Sequence, residues 1–161
     1  MFVPKQSKIV GRAAARRRPR PPEPSQSSFV ALVHMRQREV AQVIELIRRG
    51  LPAAFLKEAG DYFKLPTAKI RVVARVAETT AFTLARKAAN LDAAVSERIW
   101  RMADVANMAC EVFEDEELAK RWLVMPSRIF SDAAPIDYLD TEPGAAAVRQ
   151  VLNAIATGGA L

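Results

Sequence analysis

The sequence has one cysteine, Cys110, and one histidine, His34. A single thiol excludes an intramolecular disulfide framework and fits a reducing compartment. Nucleophilic catalysis needs a base within reach of its nucleophile, and one imidazole with one thiol offers little of either. His34 stands at the entry to a helix, where exposure is expected, and Cys110 stands mid-helix, where a small buried hydrophobe is the usual role. Zinc-ligand spacing, a phosphate-cradling glycine loop and a dinucleotide fingerprint are all missing. No apolar run approaches the ~20 residues that cross a bilayer. No basic n-region followed by an apolar h-region and a cleavage site opens the chain. The acids from Glu114 to Glu117 are consecutive, so on a helix they point around it rather than at one ion. These absences lead us to expect a soluble cytoplasmic protein that is not an enzyme, with no catalytic residues, no cofactor, no metal site and no membrane partner.

What is present is a chain of 161 residues, half of them apolar, enough for one ordinary hydrophobic core. Its charge is unevenly spread. Residues 1–28 carry seven Lys/Arg and one acid, Glu23. Residues 29–101 carry thirteen Lys/Arg against seven Asp/Glu, and residues 102–161 carry four against ten. A basic front suits a polyanion and an acidic rear would be repelled by it, so two different partners are the simplest account of this division. A chance asymmetry of a solvated surface is the plainer alternative.

Residues 1–28 combine Arg16–Arg20 with Pro21, Pro22, Pro24 and a Ser/Gln run, a composition that reads as a disordered basic arm adding salt-sensitive phosphate attraction. From Phe29 onward the apolar periodicity is helical and strict alternation is absent, so the body is expected to be all-α. A first helix is expected from Val30 to Arg49, with Val40, Val43, Ile44 and Ile47 on one face and Gly50 as its stop. The stripe Phe55, Leu56, Ala59, Phe63 places the next helix at Pro52–Phe63. A break at Lys64–Thr67 then leads into a helix over Thr67–Val76 that buries Ile70, Val73 and Ala74. Thr79 or Thr80 is expected to cap a helix reaching Ala88. The apolar spacing of Val95, Ile99, Met102, Ala106, Ala109 and Phe113 makes Asp92–Phe113 the central helix. A shorter helix from Asp115 to Leu123 is expected to bury Leu118 with Trp122. A last one starts at Thr141 and ends before Gly158, with Val148, Val151, Leu152 and Ile155 as its apolar positions.

Two places carry functional signals. In the basic half, Thr67–Val76 and Thr79–Ala88 read as a helix-turn-helix whose second helix enters a major groove. Thr79, Thr80 and Thr83 would meet phosphates or base edges there, and Arg86 and Lys87 phosphate or guanine. Against this, the turn lacks the glycine often found in the motif and carries Glu78, which would repel phosphate. A pair of helices used only for packing or dimerisation is the alternative.

In the acidic half, an acidic helix with a Trp-containing end is followed by Pro135-Ile136-Asp137-Tyr138-Leu139-Asp140-Thr141-Glu142 and a helix of small residues. This succession resembles the toxin-binding domain of the Xre/MbcA/ParS antitoxins. The resemblance covers about residues 40–161 and is strongest from Val112. Ser127–Ala133 stands where the family usually has an Asn-Pro-x-Leu-x-Gly-Gly turn.

The resemblance implies a helical helix-turn-helix domain (29–101) followed by a small helical toxin-binding domain (102–161). It further implies an antitoxin that silences a RES-domain, NAD-consuming toxin and represses its own operon by binding operator DNA, as a homodimer. By resemblance the toxin-facing residues are Leu139, Asp140, Thr141, Val148, Arg149, Leu152, Ile155, Gly158, Gly159 and Leu161. A stand-alone helix-turn-helix transcriptional regulator and an adaptor that has lost DNA binding are the other readings.

Overall fold

The computed structural model describes residues 28–35 and 39–159. The basic arm, apart from Ser28, and Leu161 lie outside the described residues. The chain is all-α, with no strand among the described residues. Its helices are α1 (Phe29–Val33), α2 (Val40–Arg49), α3 (Phe55–Phe63), α4 (Thr67–Ala74), α5 (Glu78–Arg86), α6 (Ala93–Phe113), α7 (Glu116–Val124) and α8 (Glu142–Ala156). Two 3-10 segments, Arg128–Phe130 and Pro135–Asp140, lie between α7 and α8.

The longest helix organises the rest. Asp92 starts α6 by accepting a hydrogen bond from Val95 N at 2.8 Å, satisfying one of the unpaired donors of a helix start. Val95, Ile99, Met102, Ala106 and Ala109 are buried along it, as the sequence spacing requires. Helices α1, α2, α7 and α8 and the Pro135–Asp140 segment all pack on α6. One continuous set of buried side chains runs from Phe29 to Leu152, and each fully buried Leu or Ile contributes about 1.5–3 kcal/mol. The division expected at residues 101 and 102 therefore lies inside a helix that serves both halves.

The single helix expected from Val30 to Arg49 is instead two. Ser28 caps α1, which buries Phe29, Leu32 and Val33 and sets Phe29 edge-on to Tyr62 and Phe63. The seven-residue step from Val33 to Val40 keeps both apolar stripes in phase, so periodicity alone joins them. Packing separates them. Helix α2 has no buried residue; Leu46 rests against the core, while Val40 and Ile44 are 75% and 42% exposed. Gly50 does stop α2, with a φ of 86°.

Three other expectations are corrected. Helix α3 begins at Phe55, because Pro52 is drawn into an isolated bridge with Asn90 and Ala53 N donates to Ala89 O. Helix α5 starts one residue early, at Glu78, with Ala77 at its N-cap and no side-chain cap. In α7, Asp115 is the cap and the buried pair is Ala119 and Leu123. That turns Leu118 outward, 43% exposed, and leaves Trp122 half-buried against Phe113 and Phe130.

Candidate functional site

The front surface is built on three short helices. Helix α3 ends at Lys64 in the left-handed conformation, and Leu65-Pro66 leads into α4. Helix α4 ends the same way at Arg75, and Val76-Ala77 leads into α5. Two turns of like geometry thus follow one another. The first is the tighter. Gly60 lets α3 approach the turn, since a Cβ there would lie 2.9 Å from Leu65 O. Helix α5 stands further off and buries only Ala81, with a groove of about 570 Å³ between it and α3 and α4.

Thr79, Thr80, Thr83, Arg86 and Lys87 are all exposed, and at 100° per residue they share one side of the α5 helix, opposite Ala81. Glu78, the acid at the turn, is paired with Arg71 at 3.4 Å. On α4, by contrast, the basic groups are committed. Lys69 pairs with Asp137, and Arg75 Nε lies 3.5 Å from Asp140.

Those two acids belong to the rear surface, so the Pro135–Asp140 segment lies directly against α4. Arg101, almost fully buried, extends this junction. Its Nη1 donates to Leu139 O at 3.0 Å and its Nη2 to Glu97 Oε1 at 2.6 Å. Its Nε is 3.2 Å from Glu142 Oε2, an ion pair whose angle does not make a hydrogen bond. Basic and acidic stretches separated in sequence are thus brought together, and the acids at residues 137, 140 and 142 neutralise cations of the front half.

Thr141 caps α8 by accepting from Gly144 N at 3.3 Å. A Cβ at Gly144 would lie 2.0 Å from Tyr138 O, so only glycine lets α8 start this close to the segment before it. Of the residues expected to face a partner, Leu139, Val148 and Leu152 have no exposed surface. They hold the segment and α8 to the core. Arg149 is held by Asp104 at 3.0 Å and Glu142 at 2.8 Å. Burial pulls its pKa down, but the hydrogen bonds with Asp104 and Glu142 outweigh that and raise it overall. Asp140 is half-buried beside Arg75, Thr141 is exposed as the cap, and Ile155 is half-buried. Gly158, with a φ of 66°, and Gly159 are exposed at the helix end.

Sequence reasoning did not single out the apolar side chains that this half does expose. Met125 is 55% and Ile129 51% exposed. A groove of about 270 Å³ lies between Ile129, Phe130 and Tyr138 on one side and Ala147, Gln150 and Val151 of α8 on the other. Its wall is fixed by edge-on rings at Phe130 and Tyr138 and by Tyr138 OH donating to Phe130 O at 3.1 Å. The available signal was the stretch Ser127–Ala133, where the sequence departs from the pattern it otherwise resembles.

The chain's cysteine and histidine, Cys110 and His34, line one groove together with Asn107, Glu111 and Glu114. The Cys110 thiol lies 3.7 Å from Tyr62 OH, and burial pushes both acids up from their ordinary values, which disfavours the thiolate. His34 pairs with Glu116 at 3.4 Å. Among the described residues no cluster of three or more His, Cys, Asp or Glu side chains could hold a metal ion, and no helix is long and apolar enough to cross a membrane.

Comparison with known proteins places a family on each surface. Residues 42–104 match the antitoxin Xre-like helix-turn-helix domain, and residues 108–158 match the antitoxin Xre/MbcA/ParS C-terminal toxin-binding domain. The chain is also 40% identical over 63 residues to a protein named Antitoxin Xre from Pseudomonas putida. That stretch is 39% of this chain and 40% of the relative's length, so the match spans well under half of the curated relative. The two domain matches meet inside α6, so the chain is similar to two antitoxin domain models in succession.

Proposed function

We propose that this protein is a cytoplasmic antitoxin that binds and neutralises a RES-domain, NAD-consuming toxin and represses its own operon as a DNA-binding homodimer. The observation that carries the reading is the succession of a helix-turn-helix match and a toxin-binding match on one continuous helical body. The toxin-facing surface is the exposed end of α8 with Ile155, Gly158 and Gly159, together with Met125, Ile129 and the groove beside them. Leu139, Val148 and Leu152 act through it by fixing α8, and Asp140, Thr141 and Arg149 by holding its start.

Operator DNA is met by α5, where Thr79, Thr80 and Thr83 lie toward the helix start and Arg86 and Lys87 supply charge for phosphate. Helix α4 as the reader is a second possibility, favoured by the tighter α3–α4 packing and the turn at Lys64. Ala68 and Val72, both exposed, would then be the contacts. Substituting Arg86 and Lys87 by Ala separates the two: it weakens operator binding and flattens its salt dependence by about two units of slope if α5 reads, whereas Val72→Glu does more harm if α4 reads.

The function itself is tested by expressing the neighbouring reading frame with and without this chain. Growth arrest that this chain relieves is the expected result. A neighbour that is harmless alone, or that kills equally in both cases, contradicts the reading.

A further inference from the structure

The cations of α4 and α5 are treated differently by the fold. Arg86 and Lys87, at the end of α5, are exposed and make no ion pair among the described residues. Lys69 flanks the exposed Ala68 and Val72 of α4 and pairs with Asp137, while Arg75, in the turn that leads to Thr79, has its Nε 3.5 Å from Asp140 Oδ2. Both acids come from one 3-10 helix, Pro135–Asp140. Side chains three residues apart on such a helix lie one above the other, so Asp137 and Asp140 face α4 together. The backbone behind them is fixed: Pro135, Ile136 and Leu139 are buried, Arg101 Nη1 donates to Leu139 O at 3.0 Å, and Ala134 N donates to Asp137 Oδ2 at 3.3 Å. The two carboxylates are therefore held in place before any other anion arrives.

We infer that Asp137 and Asp140 stand in for phosphate, as an autoinhibitory contact that holds the DNA affinity of the front half below its full strength. The inference rests on the DNA-binding part of the reading above and names what limits it. It holds whichever helix reads, because Lys69 borders the exposed face of α4 and Arg75 stands in the turn before α5. The Lys69 and Arg75 side chains keep 40% and 59% of their surface in water, so a phosphate can reach them. On arrival it meets a cation already paired and a like charge beside it. Each cation withheld removes one contact that would release counterions, so the acids weaken binding to DNA of any sequence and leave base reading to the other exposed side chains.

The test is a titration of the full chain against two labelled duplexes, one of random sequence and one carrying the sequence upstream of this reading frame, at several salt concentrations. Asp137→Asn with Asp140→Asn is expected to tighten binding to both by about tenfold at low salt and to steepen the salt dependence by about two units of slope. Lys69→Ala with Arg75→Ala should change wild-type affinity by less than about twofold, yet remove the whole gain when added to the Asn pair. That dependence separates two masked contacts from a general change in net charge, which would give the same gain with or without the two cations. Asp140→Asn alone, expected to steepen the slope by about one unit, carries the test if the Asn pair does not fold, as read by its thermal transition. A wild type that binds DNA while the Asn variants gain nothing, or keep their gain without Lys69 and Arg75, overturns the autoinhibitory contact alone. No binding of either duplex by wild type and Asn variants overturns the DNA-binding reading with it.

Discussion

Helices α5 and α8 are both short, amphipathic and flagged by sequence as partner-facing, yet the fold uses them in opposite ways. Helix α5 is held by Ala81 and leaves Thr79, Thr80, Thr83, Arg86 and Lys87 outside. Helix α8 is held by Ala145, Val148 and Leu152 and by the Arg149 ion pairs, and leaves its last turn outside. A polar helix face can be offered to a partner as it stands. An apolar face is first claimed by the chain's own core, and the partner receives what is left.

That contrast is tested most strongly in α8. Leu152→Ala should cost about 2–5 kcal/mol in denaturant unfolding, and binding should weaken only as far as the folded fraction falls. If Leu152→Ala instead left stability intact and abolished partner binding, Leu152 would be a contact residue and the contrast would fail. Gly144→Ala should follow at about 1–3 kcal/mol, because its Cβ has no room beside Tyr138 O. A melting temperature equal to the wild type would show that α8 is not seated as closely as described.

In α5 the expectation is reversed. Arg86→Ala with Lys87→Ala should change stability by less than about 0.5 kcal/mol while weakening DNA binding, measured by titration at several salt concentrations. Smallest is a pH effect at the join of α3 and α7. Hydrogen bonds from Lys120 and Lys64 lower the Glu117 carboxyl from 4.5 to about 2. A lowered folded-state pKa stabilises above 4.5 and loses that contribution as pH falls toward 2. Glu117→Gln should therefore narrow the stability gap between pH 6 and pH 3, and an unchanged gap would assign the acid sensitivity elsewhere.

Much of the fold was legible because helical periodicity and caps are local. Asp92, Asp115 and Thr141 each cap the helix expected to begin beside them, and the α6 stripe is buried as spaced. Where in-phase stripes met, local pattern failed: α1 and α2 read as one helix, since nothing in Val33 or Val40 says that only the first faces the core. The candidate site was less legible still. That Leu139, Val148 and Leu152 are buried, that Arg149 is held by Asp104, and that Lys69 and Arg75 meet Asp137 and Asp140 are all long-range facts. Met125 and Ile129 were missed because no periodicity marks a loop.

The most direct measurement is hydrogen exchange of the full chain, alone and with the neighbouring gene's product bound. The account predicts new protection at residues 125–130 and 153–159, with residues 78–87 unchanged. Protection confined to residues 78–87, or none anywhere in the rear half, would contradict it.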